Sequence, residues 1–234
     1  MLFTTISISV ILDNPDISFA TAYGLSANFN LRGREYEREV NSCFFDKDGK
    51  LLLSKNAGLR IFGSMSRLKN QKSFRLIARN EYDMEPSFNF SFFEEFRAVY
   101  TGEVADRYKT LIVRSGGSDN GYAFFRSELC DMLAKESGFS DYSESLPITV
   151  YINCNYNGIY WLKSAYDKRY FEERYGTGNG EFVVLEGSEE NKITDEEHRK
   201  YAEEFNETYE RLRYLDLKDE DNYRDVCRLR SEEH

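Results

Sequence analysis

Apolar and polar residues alternate through much of the first half of the chain. Phe3, Ile6, Ile8, Val10 and Leu12 keep a period of two, which predicts a strand over residues 3–12. Strands over 23–31 and 35–45 follow, and Asp46-Lys47-Asp48-Gly49 turns the chain into another at Lys50–Leu53. Asp46-x-Asp48 opens like a calcium loop, but Lys50 holds the fifth position and no Glu the twelfth, so it reads as a turn. Gly58–Phe62 and Lys72–Arg79 predict two further strands. Residues 80–106 are aromatic but follow no period.

From residue 108 the pattern changes. Tyr108–Arg114 predicts a strand that runs into the loop Ser115–Gly121. Phe125, Leu129, Met132 and Leu133 then recur at helical spacing, a stripe expected to pack on the sheet. Ile148–Cys154 and Ile159–Lys163 read as a hairpin turning at Asn155-Tyr156-Asn157-Gly158. A short helix over Asp167–Tyr175 ends at Gly176, Glu181–Glu186 is a strand, and Thr194 or Asp195 caps a longer helix. Asp219–Leu229 is the last helix, with Asp216, Asp219 and Asp221 as its charged start. Sheet first and helices later, with no linker or repeat, predicts a single α+β unit built on an antiparallel sheet.

Composition narrows the function classes. Of 234 residues, 41% are hydrophobic and 15% aromatic, enough for a core. Lys and Arg number 31 against 41 Asp and Glu, and the formal charge of −10 argues against nucleic-acid or anionic-membrane binding. No apolar run approaches the length of a membrane-spanning helix. Cys43, Cys130, Cys154 and Cys227 form no C-x-x-C pair, and with two His they suggest no metal site; buried free thiols are expected. The N-terminus carries no basic run of a signal peptide, which leaves open a start inside a longer protein.

The strongest candidate for chemistry is Gly63-Ser64-Met65-Ser66-Arg67, a small-residue turn followed by the strand that Lys72 heads. Amides of such a turn can approach phosphate oxygens, and a cation on the next strand can neutralise them. Lys72 shares the face of Phe74, Leu76 and Ala78, so it must either snorkel into solvent or find an anionic partner. The Ser115–Gly121 loop reads as a structural turn, and Gly176-x-Gly178-x-Gly180 follows a helix, the reverse of a dinucleotide-binding context. With His198 in an acidic helix and His234 terminal, no hydrolytic triad is credible. The aromatics from Tyr82 to Tyr100 admit two readings: packing on the sheet, or a surface for a partner or polysaccharide.

Three ordered segments resemble the spore coat protein H (CotH) kinase-like family. They are Gly58–Arg67 continuing through Gln71–Arg79; Leu111–Asp119 followed by Phe125-Arg126; and Val150–Leu162 with Tyr166-Asp167-Lys168. The resemblance spans roughly residues 5–190. It implies an atypical protein-kinase-like fold that binds ATP and Mg²⁺ and phosphorylates Ser or Thr of coat or secreted proteins. It further implies that Lys72 holds nucleotide phosphates beside Glu128, that Ser64, Ser66 and Arg67 cover them, and that Asp167 lies near the adenine. This sequence departs from the family's pattern at Ser127, Cys154 and Ser164. The family's metal-binding carboxylates follow a helix like the one ending at Leu229, so residues 1–234 are expected to be one domain lacking its catalytic portion, an incomplete kinase-like fold inactive by itself. The alternative is a non-catalytic structural or binding module of a spore coat or extracellular assembly.

Overall fold

The structure, a computed structural model, describes residues 6–11, 29–99, 101–139, 141–176 and 196–232. Seven strands close into a barrel in the order β1-β2-β3-β4-β7-β9-β8. They are β1 (Ile6–Ile11), β2 (Arg38–Phe45), β3 (Leu51–Ile61), β4 (Phe74–Ile77), β7 (Thr110–Arg114), β8 (Ser145–Ile152) and β9 (Asn155–Ser164). The two-residue strands β5 (Phe88–Asn89) and β6 (Arg107–Tyr108) pair separately. Among the described residues the helices are α1 (Arg126–Glu136), α2 (Lys168–Tyr175), α3 (Glu196–Arg213) and α4 (Glu220–Glu232).

This overturns the expectation of an antiparallel sheet with helices resembling an incomplete kinase-like fold. β1 pairs antiparallel with β2 and parallel with β8, where Ile6–Val10 lie opposite Ile148–Ile152. One strand thereby closes both edges of the sheet, which removes unpaired backbone groups. The partner of β1 lies some 140 residues away in sequence, and local periodicity carries no sign of such a pairing.

Alternation places the core correctly. Ile8, Phe44, Leu59, Phe74, Leu76, Leu111, Val113, Ile148, Val150, Tyr160 and Leu162 are all buried, and they occupy facing positions of successive strands. Gly58–Phe62 is not a separate strand: β3 runs unbroken from Leu51. Much of the aromatic segment packs against the barrel. Phe88, Phe92, Phe93 and Phe96 are buried, with Phe44 on Phe92 at 4.8 Å and Phe93 on Tyr108 at 5.5 Å. Lys55, also buried, ties this segment to the barrel by donating to the Glu85 carbonyl at 2.6 Å.

The chain divides into two compact units, residues 1–179 and 180–234. In the second, Asp219 Oδ1 caps α4 by accepting from the amides of Asp221 and Asn222 at 3.0 Å, as its position at the helix start predicts. In α3 the rings of Phe205 and Tyr209 stack 6.3 Å apart. The expected strand at Glu181–Glu186 and the cap at Thr194 or Asp195 lie outside the described residues, as does most of the strand expected at 23–31.

Two local expectations are corrected. The β8–β9 hairpin turns at Asn153-Cys154, not at Asn155–Gly158. Both turn residues have positive φ, 48° and 65°, as a two-residue type I′ turn requires. Asn157-Gly158 is the stronger hairpin signal, but here Gly158 flanks a bulge where pairing steps from Val150–Gly158 to Tyr151–Tyr156. The thiols are not buried either: Cys130, Cys154 and Cys227 are exposed and Cys43 is half-buried on the outer face of β2.

A side chain with a Cβ is strained in the left-handed conformation of Cys154. Cys154→Gly is therefore expected to raise stability by up to about 1 kcal/mol in urea unfolding, part being offset by the freer unfolded chain. An unchanged or lowered midpoint would count against the turn.

A pH dependence follows from the core. Burial raises the phenols of Tyr108, Tyr160, Tyr166 and Tyr170 above their ordinary 10.0, and that of Tyr82 to about 12. A raised folded-state value gives stability that is complete below pH 10 and is lost as pH climbs through it. Burial lowers Lys72 and Lys109 from 10.5, so these two add stability as pH rises towards that value. The five phenols outweigh them above it. The thermal midpoint is expected to fall steadily from pH 10.5 to 12, and a flat profile there would contradict the burial of these rings.

Candidate functional site

The residues from Gly63 to Lys72 form one compact corner. Gly63 has φ 109°, and Ser66 Oγ occupies the space a Cβ at Gly63 would need. A 3₁₀ turn at Met65–Leu68 follows, with Ser64 exposed and Ser66 buried. Arg67 reaches back across it, donating from Nε to the Gly63 carbonyl at 2.6 Å and from Nη1 to the carbonyls of Phe29 and Leu31 at 2.9 and 3.1 Å. The neighbouring loop joins in. Ser73 and Ser115 hydroxyls lie 3.0 Å apart, Ser115 Oγ donates to the Gln71 carbonyl, and Asn120 Nδ2 donates to Gln71 Oε1.

Lys72 takes neither of the two courses its position offered. It is 1% exposed, and its ammonium donates to the carbonyls of Arg67 at 2.9 Å and Lys69 at 2.8 Å. The Phe29 ring covers it at 4.4 Å. Backbone oxygens thus stand where a carboxylate was expected, and burial lowers its pKa. Among the described residues it makes no ion pair, so the expected Lys72–Glu128 contact does not form.

Arginines, not Lys72, concentrate the positive charge here. Arg60 and Arg75 stand directly opposite each other on β3 and β4, both on the outer face. Like charges so placed repel unless an anion lies between or beside them. Arg75 rests over the Phe62 ring at 4.8 Å, and Arg60 Nε lies 3.3 Å from Glu37 but is buried with no hydrogen-bonded acceptor. Glu37 spends both oxygens on Arg79, at 2.5 and 2.9 Å. Burial lowers Arg67, and the charged groups that lower it further are Arg32, Arg75 and Arg60. On a chain of charge −10, four guanidinium groups, those of Arg32, Arg60, Arg67 and Arg75, lie close enough for the other three to lower Arg67. Alternation had put Arg75 on the outward face, but only the β3–β4 register reveals that Arg60 faces it.

Glu128 and Asp167 lie elsewhere. Asp167 is the N-cap of α2: its Oδ1 accepts from the Tyr170 amide at 3.1 Å, and burial raises its pKa. Its position there is accounted for by the helix alone. Glu128 faces the outer surface of β7 and β9, 4% exposed, between Arg114 at 3.1 Å and Lys163 at 3.7 Å. Asp131, one turn on, meets Lys163 at 2.5 Å. α1 therefore docks through its charged side. Its apolar stripe does not pack on the sheet as expected: Phe125, Leu129, Met132 and Leu133 are 55, 37, 53 and 57% exposed. No three His, Cys, Asp or Glu gather in a geometry for a metal ion among the described residues. Those residues therefore do not fit an Mg²⁺ site, and no step is assigned through one. No helix among the described residues is long and apolar enough to cross a membrane.

The fold is a closed mixed β-barrel with helices outside it, carrying an arginine-rich corner. The family model described as CotH kinase protein matches residues 59–229, and the chain belongs to that family. No curated protein matches it.

Removing Glu128 leaves the largely buried Arg114 without its carboxylate while Asp131 still holds Lys163, a cost that approaches the roughly 3–5 kcal/mol of a broken buried pair. Glu128→Ala is expected to lose most of the cooperative urea transition of the first unit, whereas Glu136→Ala on exposed helix surface changes it by less than about 0.5 kcal/mol. Equal midpoints for the two variants would show that the ion pairs do not hold the helix.

Proposed function

We propose that this chain supplies the phosphate-binding part of an ATP-dependent CotH-type protein kinase, whose acceptors are Ser or Thr side chains of coat or secreted proteins. The observation that carries this reading is the arginine cluster beside the Gly63–Lys72 corner, a positive patch on an acidic chain. Guanidinium groups pair well with phosphate oxygens and stay charged at any working pH. Ser64 is exposed at the same corner and can donate its hydroxyl to a phosphate oxygen. Lys72 supports the corner from below by holding the carbonyls of Arg67 and Lys69 in place. It positions Arg67 rather than meeting phosphate itself. When bound, ATP would supply the transferable phosphoryl group; Arg32, Arg67 and Arg75 would hold its charge.

A second reading, a non-catalytic assembly module of a coat or extracellular structure, is favoured by the closure of Lys72 under Phe29 and two carbonyls. Binding of ATP separates the two. Titration calorimetry of the full chain with ATP, with and without Mg²⁺, is expected to show saturable binding that weakens with salt. Arg32→Ala and Arg75→Ala should each weaken it about tenfold, in line with roughly 1.5–3 kcal/mol for a hydrogen bond to a charged group. Absence of binding, or binding indifferent to both substitutions, would favour the module.

A further inference from the structure

The outward stripe of α1 faces an open cavity of about 710 Å³ in the first unit, whose lining includes none of the Gly63–Lys72 corner. Leu129, Met132 and Phe125 form one wall, and Phe90, Phe93 and Leu146 stand among the residues of the other. Exposed apolar surface of this kind marks a binding face rather than a chance scatter. Its polar groups do not converge on a small molecule. Glu128 and Asp131 are spent on Arg114 and Lys163, and Lys135 is spent on Glu95 at 2.5 Å and Glu144 at 2.8 Å. What remains is charge at the mouth. Glu94 is exposed and has no ion pair among the described residues; the Glu95 side chain, 77% exposed, is shared with Lys135, and Asp46 adds a third carboxylate, one oxygen of which accepts from the Asp48 and Lys50 amides. Lys47, the lysine of the lining besides Lys135, is paired to Asp48.

We propose that this groove docks a segment of another protein whose apolar side chains fill the Leu129–Met132–Phe93 floor and whose flanking Lys or Arg residues meet Glu94, Glu95 and Asp46. The charge pattern selects the occupant. An apolar floor alone would accept many surfaces, including a second copy of this chain, but that copy carries −10 and its approach is repelled. A basic, amphipathic segment is attracted by the same carboxylates and buries its apolar row in the groove. This docking is separate from phosphate binding and stands whether or not ATP binds.

Trp161 lines the cavity and is the single tryptophan of the sequence, so its emission reports occupancy directly. The probes are two synthetic tryptophan-free peptides of roughly 16 residues, about four helical turns, with Leu at helical spacing and either Lys or Glu elsewhere. The full chain is expected to give a saturable emission change with the Lys peptide, weakened at least tenfold by Met132→Glu and several-fold by Glu94→Lys combined with Glu95→Lys. All three positions are exposed, so folding is not at stake. Equal binding of the Glu peptide, binding unaltered by these variants, or no binding overturns the proposal. Sedimentation of the chain alone, if it shows a concentration-dependent dimer that Met132→Glu abolishes, assigns the groove to a second copy and overturns it as well.

Discussion

The carboxylate of Glu128, held between Arg114 and Lys163 under helix α1, is the contact on which the outer architecture depends. Arg114 and Lys163 point outward from adjacent strands, with Arg114 opposite Trp161 and Lys163 opposite Ile112. Two cations on one patch of barrel wall repel each other, and burial beneath a helix makes that repulsion costly. Glu128 and Asp131 on successive turns resolve it. The consequence is rotational. A helix that satisfies two buried cations must turn its charged side inward, and its apolar stripe then has no barrel to cover. The acid-rimmed groove follows from that turn rather than from any special feature of its own.

The barrel wall uses arginine in two different ways. At β7 and β9 the cations are matched by carboxylates, so that region is a joint. At β3 and β4 Arg60 and Arg75 face each other, and the nearest carboxylate, Glu37, is committed to Arg79. The same register that closes the barrel therefore produces a joint matched by carboxylates on one wall and two facing arginines on another.

Much of the barrel was legible in the sequence. Period-two alternation identified the interior residues of β1 and β4 and the approximate spans of β2, β7 and β8, and the Asp46–Gly49 turn lies where its residues placed it, with Gly49 donating to the Asp46 carbonyl at 3.1 Å. The left-handed Gly176 that ends α2 was equally plain. Closure was not legible, because it rests on pairing between β1 and β8, and no local pattern encodes a partner so distant. α1 was misjudged for a physical reason: a stripe of Phe and Leu outweighs Glu128 on any hydrophobic scale, yet the wall beneath it carries Arg114 and Lys163. Alternation along β7 and β9 already marks those two as outward, so the signal was present but lay on a different element. Lys72 was correctly placed at the head of an inward row, and its partners were missed because carbonyl oxygens of Arg67 and Lys69 leave no trace in side-chain chemistry.

The orientation of α1 is the claim from which the joint and the groove both follow, and methionine oxidation measures it without any substitution. Met65 and Met84, 72 and 97% exposed, provide internal standards for Met132 at 53%. Hydroxyl-radical footprinting of the native chain, read by mass spectrometry, should oxidise Met132 at a rate comparable to those two. A Met132 oxidised at least about ten times more slowly than Met65 and Met84 would place the stripe against the barrel and contradict the account.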